Sequence, residues 1–491
     1  MNKPTVAIIG SGFSGICAAI QLRKKLGIIA EVFEATDDVG GTWNYNTYPG
    51  CACDIQSHLY SFSFELNPNW SQVYSSQKEI HAYLQHVARK YKVYEQVDLN
   101  TKVTKALWKQ DINKWQLTIS DQTKEFDFVF SGVGALRIPH IPDEFKSFEG
   151  KIIHSAYWDN NYDFTDKTIA VIGCGTSAIQ IIPNLASRVK HLYSFQRTPS
   201  WVAPKHQKTY PGWVKCLFTW FPFLMWIYRA WIFLYRDLFV FRALKDVKSK
   251  IHSTFRSSLE KYMRDMLQHY GKPELISSLI PTFPVFCKRI CLSDDYLVAL
   301  CRKNVTVQTS PIVQVQGKTI ITTDGQQVEV DTLCLATGFD IHNFLGDLQV
   351  FGRDGCHLNQ LWEQNPIKTH KTINVHQFPN LFFLLGPGSA LGHSSVVGMI
   401  ESQVEYSIEI IKYMIKNNLT CLEPNVKSQE AYADQIQQGL KGTVWLGGCQ
   451  SWYMNHGEIR VLWPNSAMQF YRMLRNTQFK QEYIEYKQIL S

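Results

Sequence analysis

Two stretches of this 491-residue chain share one pattern, in which an apolar, β-branched run leads into a glycine-rich turn and then into a helical segment. The first turn reads Gly10-Ser-Gly12-Phe-Ser-Gly15, and the second reads Gly173-Cys-Gly175-Thr-Ser-Ala178. Another apolar strand pattern follows each helix, at residues 30–34 and 191–196. A strand, a helix and a second strand form a βαβ unit, which requires a parallel sheet covered by helices. The sequence therefore predicts an α/β protein with two such domains.

The first turn carries a complete dinucleotide-binding fingerprint. Gly10 permits a tight turn, Gly12 allows the backbone to approach a pyrophosphate, and Gly15 allows the helix to pack closely on the strand. The N-terminus of the helix offers free N–H groups and a favourable dipole to the phosphates. Glu34 stands 19 residues after Gly15, where a carboxylate accepts hydrogen bonds from a ribose diol and repels a 2′-phosphate. This site is predicted to bind FAD or NAD, not NADP.

The second turn has Ala178 in the third small-residue position, and no acidic residue ends its second strand. That strand leads instead to Arg197 and Thr198, whose charge and hydroxyl match a 2′-phosphate. This unit is therefore predicted to bind NADP(H). A flavin in the first unit and a nicotinamide in the second is the economical interpretation, because hydride passes between them. The remaining cofactor-binding residues predicted in this turn are Gly173, Gly175, Thr176 and Ser177.

The order of these patterns predicts one domain interrupted by another. A buried strand pattern at 331–338 ends on a glycine and returns the chain to the first unit. We expect a split FAD-binding domain at 1–145 and 338–491, and an NADP-binding domain at 146–337. Residues 207–285 are predicted to form a mostly helical insert within the second domain.

Composition excludes several other classes of protein. Apolar residues make up 45% and charged residues 19% of the chain, which disfavours disorder and coiled coils. The net charge of +8 is spread along the chain, so we expect no nucleic-acid partner. The 12 cysteines include no C-x-x-C pair and no ligand spacing, so we expect free thiols, no metal site and no redox dithiol. With no secretory signal apparent, the predicted location is the cytoplasm.

Residues 213–243 form the most apolar and aromatic part of the chain. Their longest stretch without a formal charge, 216–228, has 13 residues and contains Pro222, which is shorter than the ~20 residues needed to span a bilayer. We expect a pair of buried helices that cap a larger domain. A peripheral membrane contact through an aromatic face is the alternative.

Two further motifs resemble those of the type I Baeyer-Villiger monooxygenases, flavoproteins related to the flavin-containing monooxygenases. The segment from Gly40 to Asp54 includes Gly41, Thr42 and Trp43, which the resemblance assigns to cofactor binding. The segment 148–159 matches the family pattern F-x-G-x-x-x-H-x-x-x-W-(P/D) at every fixed position. Its fixed residues are Phe148, Gly150, His154, Trp158 and Asp159.

The resemblance implies a definite reaction. NADPH reduces FAD, the reduced flavin takes up O2 to form a C4a-peroxyflavin, and this species inserts one oxygen atom into a small apolar ketone to give an ester or lactone. Such a site must exclude water and stabilise negative charge. An arginine suits the task, because it stays cationic and offers several donors to an oxyanion.

The resemblance also assigns roles to individual residues. Arg289 matches the catalytic arginine, Asp54 the acid that orients it, and Lys288 a residue beside the NADP 2′-phosphate. His154 is expected to couple the movement of the two domains and not to act as an acid or base. Gly386 is expected to approach the flavin, and Trp452 to belong to a loop over NADP, although packing alone would also explain a tryptophan there.

Two alternatives remain open at this stage. A flavin-containing monooxygenase that oxygenates sulfur or nitrogen would use the same cofactors on the same fold. A redox-sensing flavoprotein without catalytic activity would also bind both dinucleotides. The sequence indicates neither the ketone nor the oligomeric state.

Overall fold

The computed structural model describes residues 3–449, 453–455 and 458–487, so the predicted loop residue Trp452 lies outside the described residues. Its first sheet is parallel throughout and starts from the strand Val6–Ile9, whose four side chains are all buried. Helices Phe13–Leu26 and Val396–Lys416 pack against each other beside this sheet. In spatial order the strands are Leu381–Phe383, Phe128–Ser131, Val6–Ile9, Glu31–Phe33 and Val97–Asp98.

The second sheet is also parallel, and its central strand Thr168–Ile172 leads into helix Ala178–Ala186. A short helix, Tyr296–Leu300, packs against that helix. In spatial order the strands are Val305–Gln308, His191–Phe195, Thr168–Ile172, Thr332–Leu335 and Lys151–His154. Both predicted βαβ units are thus present, which confirms the predicted α/β fold class.

Smaller sheets, most of whose strands pair antiparallel, extend both domains. A four-stranded sheet contains Gln349–Phe351, Val103–Lys109, Lys114–Ile119 and Gln122–Phe126. A three-stranded sheet contains Ile312–Gln316, Thr319–Thr322 and Gln327–Glu329. Three strand pairs complete the described sheets: Val202–Ala203 with Cys291–Leu292, Leu419–Pro424 with Tyr483–Lys487, and Met454–Asn455 with Glu458–Ile459.

Helices make up most of the predicted insert. They are Gly212–Trp220, Pro222–Tyr235, Phe241–Lys245, Lys250–His269 and Ile276–Leu279, with a π-helical turn at Arg236–Val240. The remaining α-helices of the described residues are Thr42–Tyr45, Gln77–Lys90, Leu358–Gln364, Val426–Leu440, Ala467–Arg475 and Phe479–Glu482.

Two connecting segments, 138–140 on the way out and 337–340 on the way back, run side by side between the two parallel sheets. The backbone N–H of His140 donates to the carbonyl of Gly338 at 2.9 Å, and that of Asp340 donates to the carbonyl of Ile138 at 2.8 Å. The Thr337 hydroxyl also donates to the His140 carbonyl. These hydrogen bonds hold the outgoing and returning chain together at the passage from one sheet to the other.

The prediction of buried helices at 213–243 is wrong. Eleven large apolar side chains in this segment are exposed, and Trp220 is 75% exposed. Among the described residues no single helix is long and apolar enough to cross a membrane, while the bent pair 212–220 and 222–245 meets that criterion when its two parts are taken together. Composition alone predicted burial because it does not tell which face of a helix meets the core.

The expectation of free thiols throughout the chain is also wrong. Cys287 and Cys449 form a disulfide across 162 residues of sequence. The bond needs only that the fold bring two cysteines together, and their distance in sequence carries no signal of it. The other ten cysteines are free.

Candidate active site

A cavity of about 300 Å³ runs along the carboxyl end of the first sheet. The glycine-rich turn and Glu34 line one part of it, and Arg289 and Tyr453 line another. Ligands bind at this edge of open α/β sheets, because the loops that follow parallel strands converge there. The predicted residues that line the cavity are Gly10, Gly12, Glu34, Gly41, Thr42, Trp43, Arg289 and Gly386.

The glycines of the first turn leave room for a ligand backbone. A Cβ atom at Gly15 would lie 1.9 Å from the carbonyl oxygen of Gly10, so helix and strand approach each other there as only glycine permits. At Gly12 a Cβ would meet no atom closer than 3.5 Å, the nearest being Cα of Gly41. Backbone from two segments thus forms the cavity floor, and this cradle fits the pyrophosphate of FAD.

Glu34 is buried at the rim of this cavity. Its Oε2 accepts hydrogen bonds from the backbone N–H and the hydroxyl of Ser11, both at 2.8 Å. Its Oε1 accepts from the backbone N–H of Thr36 at 3.0 Å and from the hydroxyl at 2.8 Å. The carboxylate therefore holds the glycine-rich turn in place, a role that the sequence pattern did not indicate.

Trp43 and Gly386 form other walls of the cavity. The indole N–H of Trp43 donates to the hydroxyl of Tyr60 at 3.2 Å, and the two rings meet edge to face with centroids 5.6 Å apart. A Cβ at Gly386 would lie 2.7 Å from the carbonyl oxygen of Thr372, so the chain is tightly packed where it returns to the cavity. Tyr60 stands outside the motif that marked Trp43 and was missed by sequence reasoning.

Arg289 and Asp54 form a bidentate ion pair although 235 residues separate them. The Nε–H of Arg289 donates to Oδ2 at 2.5 Å, and Nη2 donates to Oδ1 at 2.6 Å. Burial raises the pKa of the Asp54 carboxyl, but the Arg289 guanidinium outweighs burial and holds that pKa below its usual range. For Arg289, burial lowers the pKa and the Asp54 carboxylate more than compensates, so the arginine stays cationic at the cavity wall.

Arg236 supports this pair from the insert, and sequence reasoning did not identify it. Its Nε–H donates to the side chain of Gln56 at 2.8 Å, while its two Nη groups donate to the carbonyls of His393 at 3.0 Å and Asp54 at 3.3 Å. One guanidinium thus joins the Asp54 loop to the segment that follows Gly386. The available signal was its distance of two helical turns from Arg229 in an otherwise apolar helix.

The second glycine turn opens helix Ala178–Ala186 with little around it. Gly173 has φ of +113°, and a Cβ there would lie 2.6 Å from the carbonyl oxygen of Ala336. Gly175 is exposed with no atom close to its Cβ position, and Thr176 and Ser177 are half-buried. The turn is therefore open at Gly175, beside the N-terminus of the helix, and such a place suits the phosphates of a dinucleotide.

Two cations lie beside this turn. Burial lowers the pKa of Lys288, and the nearby charge of Arg197 lowers it further. The ammonium group of Lys288 also lies 5.1 Å from the centroid of the Phe283 ring. Arg197 is exposed, and Thr198 beside it is half-buried. Arg197 therefore lies close enough to Lys288 to act on its charge, although 91 positions separate the two in sequence.

Gln180 connects the two parts of the site. Its side-chain oxygen accepts from the Tyr48 hydroxyl at 3.0 Å, and its Nε2 donates to the Ala52 carbonyl at 3.0 Å. A Cβ at Gly50 would lie 2.7 Å from the Gln180 carbonyl oxygen, so the loop that ends in Asp54 packs tightly on the helix of the second glycine turn. No motif pointed to Gln180.

The segment 148–159 lies along the edge strand of the second sheet. Phe148 is buried and would touch a Cβ at Gly150, while Trp158 stacks on Phe164 with ring centroids 5.5 Å apart. Asp159 forms a salt bridge with Lys151 at 2.8 Å. These four residues pack or pair locally, away from the cavity.

His154 of the same segment lies beside the connection between the domains. Burial lowers the pKa of its ring to about 4, so the ring is neutral near pH 7. Its Nδ1 accepts from the backbone N–H of Ala156 at 3.1 Å, and its ring meets that of Phe339 with centroids 6.1 Å apart. Since Phe339 belongs to the returning segment, this geometry suits a structural role better than proton transfer.

The sequence and the fold of this chain match those of known proteins. The sequence profile described as "Flavin-binding monooxygenase-like" matches residues 3–351. The chain belongs to this family. It is 38% identical over 478 residues to a Baeyer-Villiger monooxygenase of Pseudomonas aeruginosa, an alignment that covers 96% of this chain and 89% of that protein. A Baeyer-Villiger monooxygenase of Streptomyces coelicolor is 35% identical over 475 residues, with 96% and 90% covered.

Solved structures agree with these relatives. A steroid monooxygenase bound to NADP superimposes with a TM-score of 0.87 at 25% identity, covering 99% of this chain and all of the other. Cyclohexanone monooxygenase from Rhodococcus sp. Phi1 bound to NADP+ gives the same TM-score, identity and coverage. The chain is therefore an NADPH-dependent flavoprotein monooxygenase of the Baeyer-Villiger type, with FAD and NADP as its cofactors.

Proposed function

We propose that this monooxygenase inserts one oxygen atom from O2 into small apolar ketones and releases esters or lactones. The observation that carries the proposal is the Arg289–Asp54 ion pair, which presents a permanent cation at the wall of the cavity whose glycine floor fits FAD. Bound FAD would supply the redox chemistry, taking hydride from NADPH and activating O2. The protein's own part is to bind, orient and stabilise charge.

The proposed binding residues fall into two groups. Gly10, Gly12, Glu34 and the backbone of Gly41 would hold FAD, with Thr42, Trp43 and Gly386 as further walls. Gly173, Gly175, Thr176, Ser177, Arg197, Thr198 and Lys288 would hold NADP(H). We further propose the domain boundaries 1–145 and 338–491 for the FAD domain and 146–337 for the NADP domain. This division is supported by the strand Leu381–Phe383, which pairs with Phe128–Ser131 of the first sheet.

Arg289 is the proposed catalytic residue, and Asp54 the residue that orients it. Oxygen insertion into a carbonyl develops negative charge on the carbonyl oxygen, which a fixed guanidinium stabilises in a site shielded from water. Because Asp54 binds both Nε and Nη2, the plane of the guanidinium is fixed before the ketone enters. The shape of the pocket sets which ketone enters.

A sulfur- or nitrogen-oxygenating activity is the second candidate. The Asp54–Arg289 pair favours ketones, since oxidation of a nucleophilic heteroatom does not create an oxyanion that needs an arginine. Trp158 and Asp159 favour ketones through the family resemblance alone. A panel of ketones, thioethers and amines, with NADPH consumption followed and products identified by mass, separates the two. Ester formation supports the proposal, and sulfoxide formation without esters contradicts it.

The Arg289→Ala variant gives the sharpest test of the site. We expect ester formation to fall by about 10²–10³-fold, while reduction of FAD by NADPH proceeds at the wild-type rate. The matched control is Arg197→Ala, which should raise KM for NADPH and leave the ester yield per NADPH unchanged. Stopped-flow absorbance at the flavin band and product analysis measure both. Full ester formation by Arg289→Ala would remove Arg289 from the mechanism.

A further inference from the structure

The helix Pro222–Tyr235 turns its charge inward and its aromatic residues outward. Arg229 is 8% exposed and faces the core together with Met225 and Ile232. On the opposite side Ile227 is 60% exposed and Trp231 is 61% exposed, and Trp226 on the flank is 48% exposed. A surface helix in water has the reverse arrangement, with apolar residues against the core and charged residues outside.

Specific contacts fix this orientation. Nη1 of Arg229 donates to the carbonyl oxygens of His58 at 2.6 Å and Leu59 at 3.2 Å, and to the hydroxyl of Ser61 at 3.2 Å. Two helical turns later, Arg236 binds three acceptors in the same way. Turning the helix to bury its aromatic side chains would break all of these hydrogen bonds, so the aromatic face belongs to the folded state.

The exposed face continues into the preceding helix. Gly212–Trp220 and the helical run Pro222–Lys245 are bent by 109° relative to each other, and Phe221 lies at the bend. Isolated apolar side chains are common on protein surfaces, whereas a contiguous set of this size marks an interaction site. The exposed residues, called the aromatic face below, are Trp213, Trp220, Phe221, Phe223, Trp226, Ile227, Trp231, Leu234, Tyr235, Leu238 and Phe239.

The stretch of sequence that leads into the aromatic face and carries most of it has charge of one sign up to Arg236. Residues 167–236 contain no Asp or Glu, and the next acid, Asp237, is buried in a pair with His393. The cations next to the face in sequence include Lys208, which is exposed, and Lys215, which is half-buried. Cations beside exposed Trp and Tyr side chains are complementary to anionic phospholipid headgroups. A second copy of the chain would bring the same cations against these.

We propose that the aromatic face is a monotopic membrane-docking surface, which places its side chains in the headgroup region of an anionic phospholipid bilayer. Gly212–Trp220 has only nine residues, and the helical run Pro222–Lys245 holds Arg229 and Arg236 in hydrogen bonds with the rest of the protein, so neither is a free span of the ~20 apolar residues that cross a bilayer. The two helices therefore lie in the interface. The proposal rests on exposure and charge, independently of the proposed substrate class.

Vesicle flotation of the FAD-loaded full-length protein tests it. The probes are vesicles of phosphatidylcholine alone and vesicles with about one third phosphatidylglycerol. We expect flotation with the anionic vesicles, and at least about tenfold weaker flotation with the neutral ones or when salt is raised from about 0.05 M to about 0.5 M. Equal binding to both vesicle types, or no binding to either, contradicts the proposal.

Two triple variants locate the contact. Trp220→Ser/Phe223→Ser/Trp231→Ser should lose vesicle affinity by at least about tenfold and keep the wild-type rate of NADPH oxidation. Its matched control, Ile29→Ser/Val313→Ser/Ile415→Ser, removes three exposed apolar side chains elsewhere and should bind vesicles as the wild type does. Equal losses in both variants would overturn the proposal. So would a dimer in light scattering that the first variant dissociates while neither protein binds vesicles.

Discussion

Two glycines of one turn, three residues apart, meet different physical limits. At Gly15 the obstacle is the protein itself, since a methyl group would overlap the carbonyl oxygen of Gly10 at 1.9 Å. At Gly12 the protein leaves room, and the open space belongs to the cavity. A shared motif therefore combines a requirement of folding with a requirement of ligand binding.

This difference predicts opposite phenotypes. Gly15→Ala should lower the free energy of unfolding of the FAD-free protein by about 1–3 kcal/mol, because helix and strand must separate to admit the methyl group. Gly12→Ala should change that free energy by less than about 0.5 kcal/mol but weaken FAD binding. Urea unfolding and FAD titration measure the two effects. The assignment fails if Gly12→Ala unfolds as readily as Gly15→Ala.

The sequence predicted the functional residues that belong to motifs, and it missed the residues that hold those motifs in place. Asp54 and Arg289 were paired by family resemblance alone, because no local pattern relates residues 235 positions apart. Arg236 and Gln180 act through single side chains that reach distant backbone carbonyls. Such contacts depend on three-dimensional packing and leave no periodicity or spacing to detect.

Among the elements, the π-helical turn Arg236–Val240 joins the exposed aromatic helix to the site. Such turns are rare and often occur where a side chain must be redirected toward a functional site. Here the first two side chains point into the protein. Arg236 binds the Asp54 loop, and Asp237 pairs with His393 and accepts the N–H groups of Ala467 and Met468 at the start of a helix.

Arg236→Met is expected to loosen the Asp54 loop. The variant keeps the apolar stem but leaves three buried acceptors without a donor, which should lower the free energy of unfolding by about 2–4 kcal/mol. A larger share of NADPH oxidation should end in hydrogen peroxide, because Asp54 would hold Arg289 less firmly. Arg236→Lys should recover part of both losses. Unchanged peroxide release in Arg236→Met would show that Arg236 serves stability alone.

The sequence predicted where helices and strands lie along the chain better than it predicted which of their faces are buried. The strand predicted at 30–34 is Glu31–Phe33, and the strand predicted at 191–196 is His191–Phe195. Glycine turns and apolar periodicity mark such boundaries directly. The helices within 213–243 were predicted, whereas their exposure was only the alternative to the predicted burial. Hydropathy ranks residues by preference for an apolar medium and does not distinguish a protein core from a lipid surface.

For the whole molecule, the disulfide ties together two distant parts of the site. Cys287 directly precedes Lys288 and Arg289, and Cys449 lies four residues before Tyr453 of the cavity wall. The Cys287→Ser/Cys449→Ser variant should have a free energy of unfolding about 2–5 kcal/mol below that of the wild type, because its unfolded chain is less constrained. In the wild-type protein, alkylation after unfolding without reductant should label ten of the 12 cysteines. Labelling of all 12 would exclude the bond.

Acid should destabilise the folded chain through His58. Burial, with the charge of Arg229, lowers the pKa of this ring from 6.5 to about 4. Between pH 6.5 and about 4, the ring is protonated in the unfolded chain and neutral in the folded chain. The stability present above pH 6.5 is therefore lost as the pH falls toward 4. The free energy of unfolding decreases by about 1.4 kcal/mol per pH unit in this range. Urea unfolding of His58→Phe should show a flatter pH dependence by that amount, and an unchanged slope would contradict the assignment.

The side-by-side connecting segments have a consequence for biosynthesis. All strands of the second sheet lie between Lys151 and Gln308 or at Thr332–Leu335, so this sheet is complete before Leu381–Phe383 leaves the ribosome. The first sheet and helix Phe13–Leu26 must wait for that strand and for helix Val396–Lys416. Domains fold as units during translation. The NADP-binding domain in the middle of the chain can therefore fold first during translation. Meanwhile the N-terminal part of the FAD-binding domain exposes an apolar surface, which is covered by chaperones or by the last third of the polypeptide.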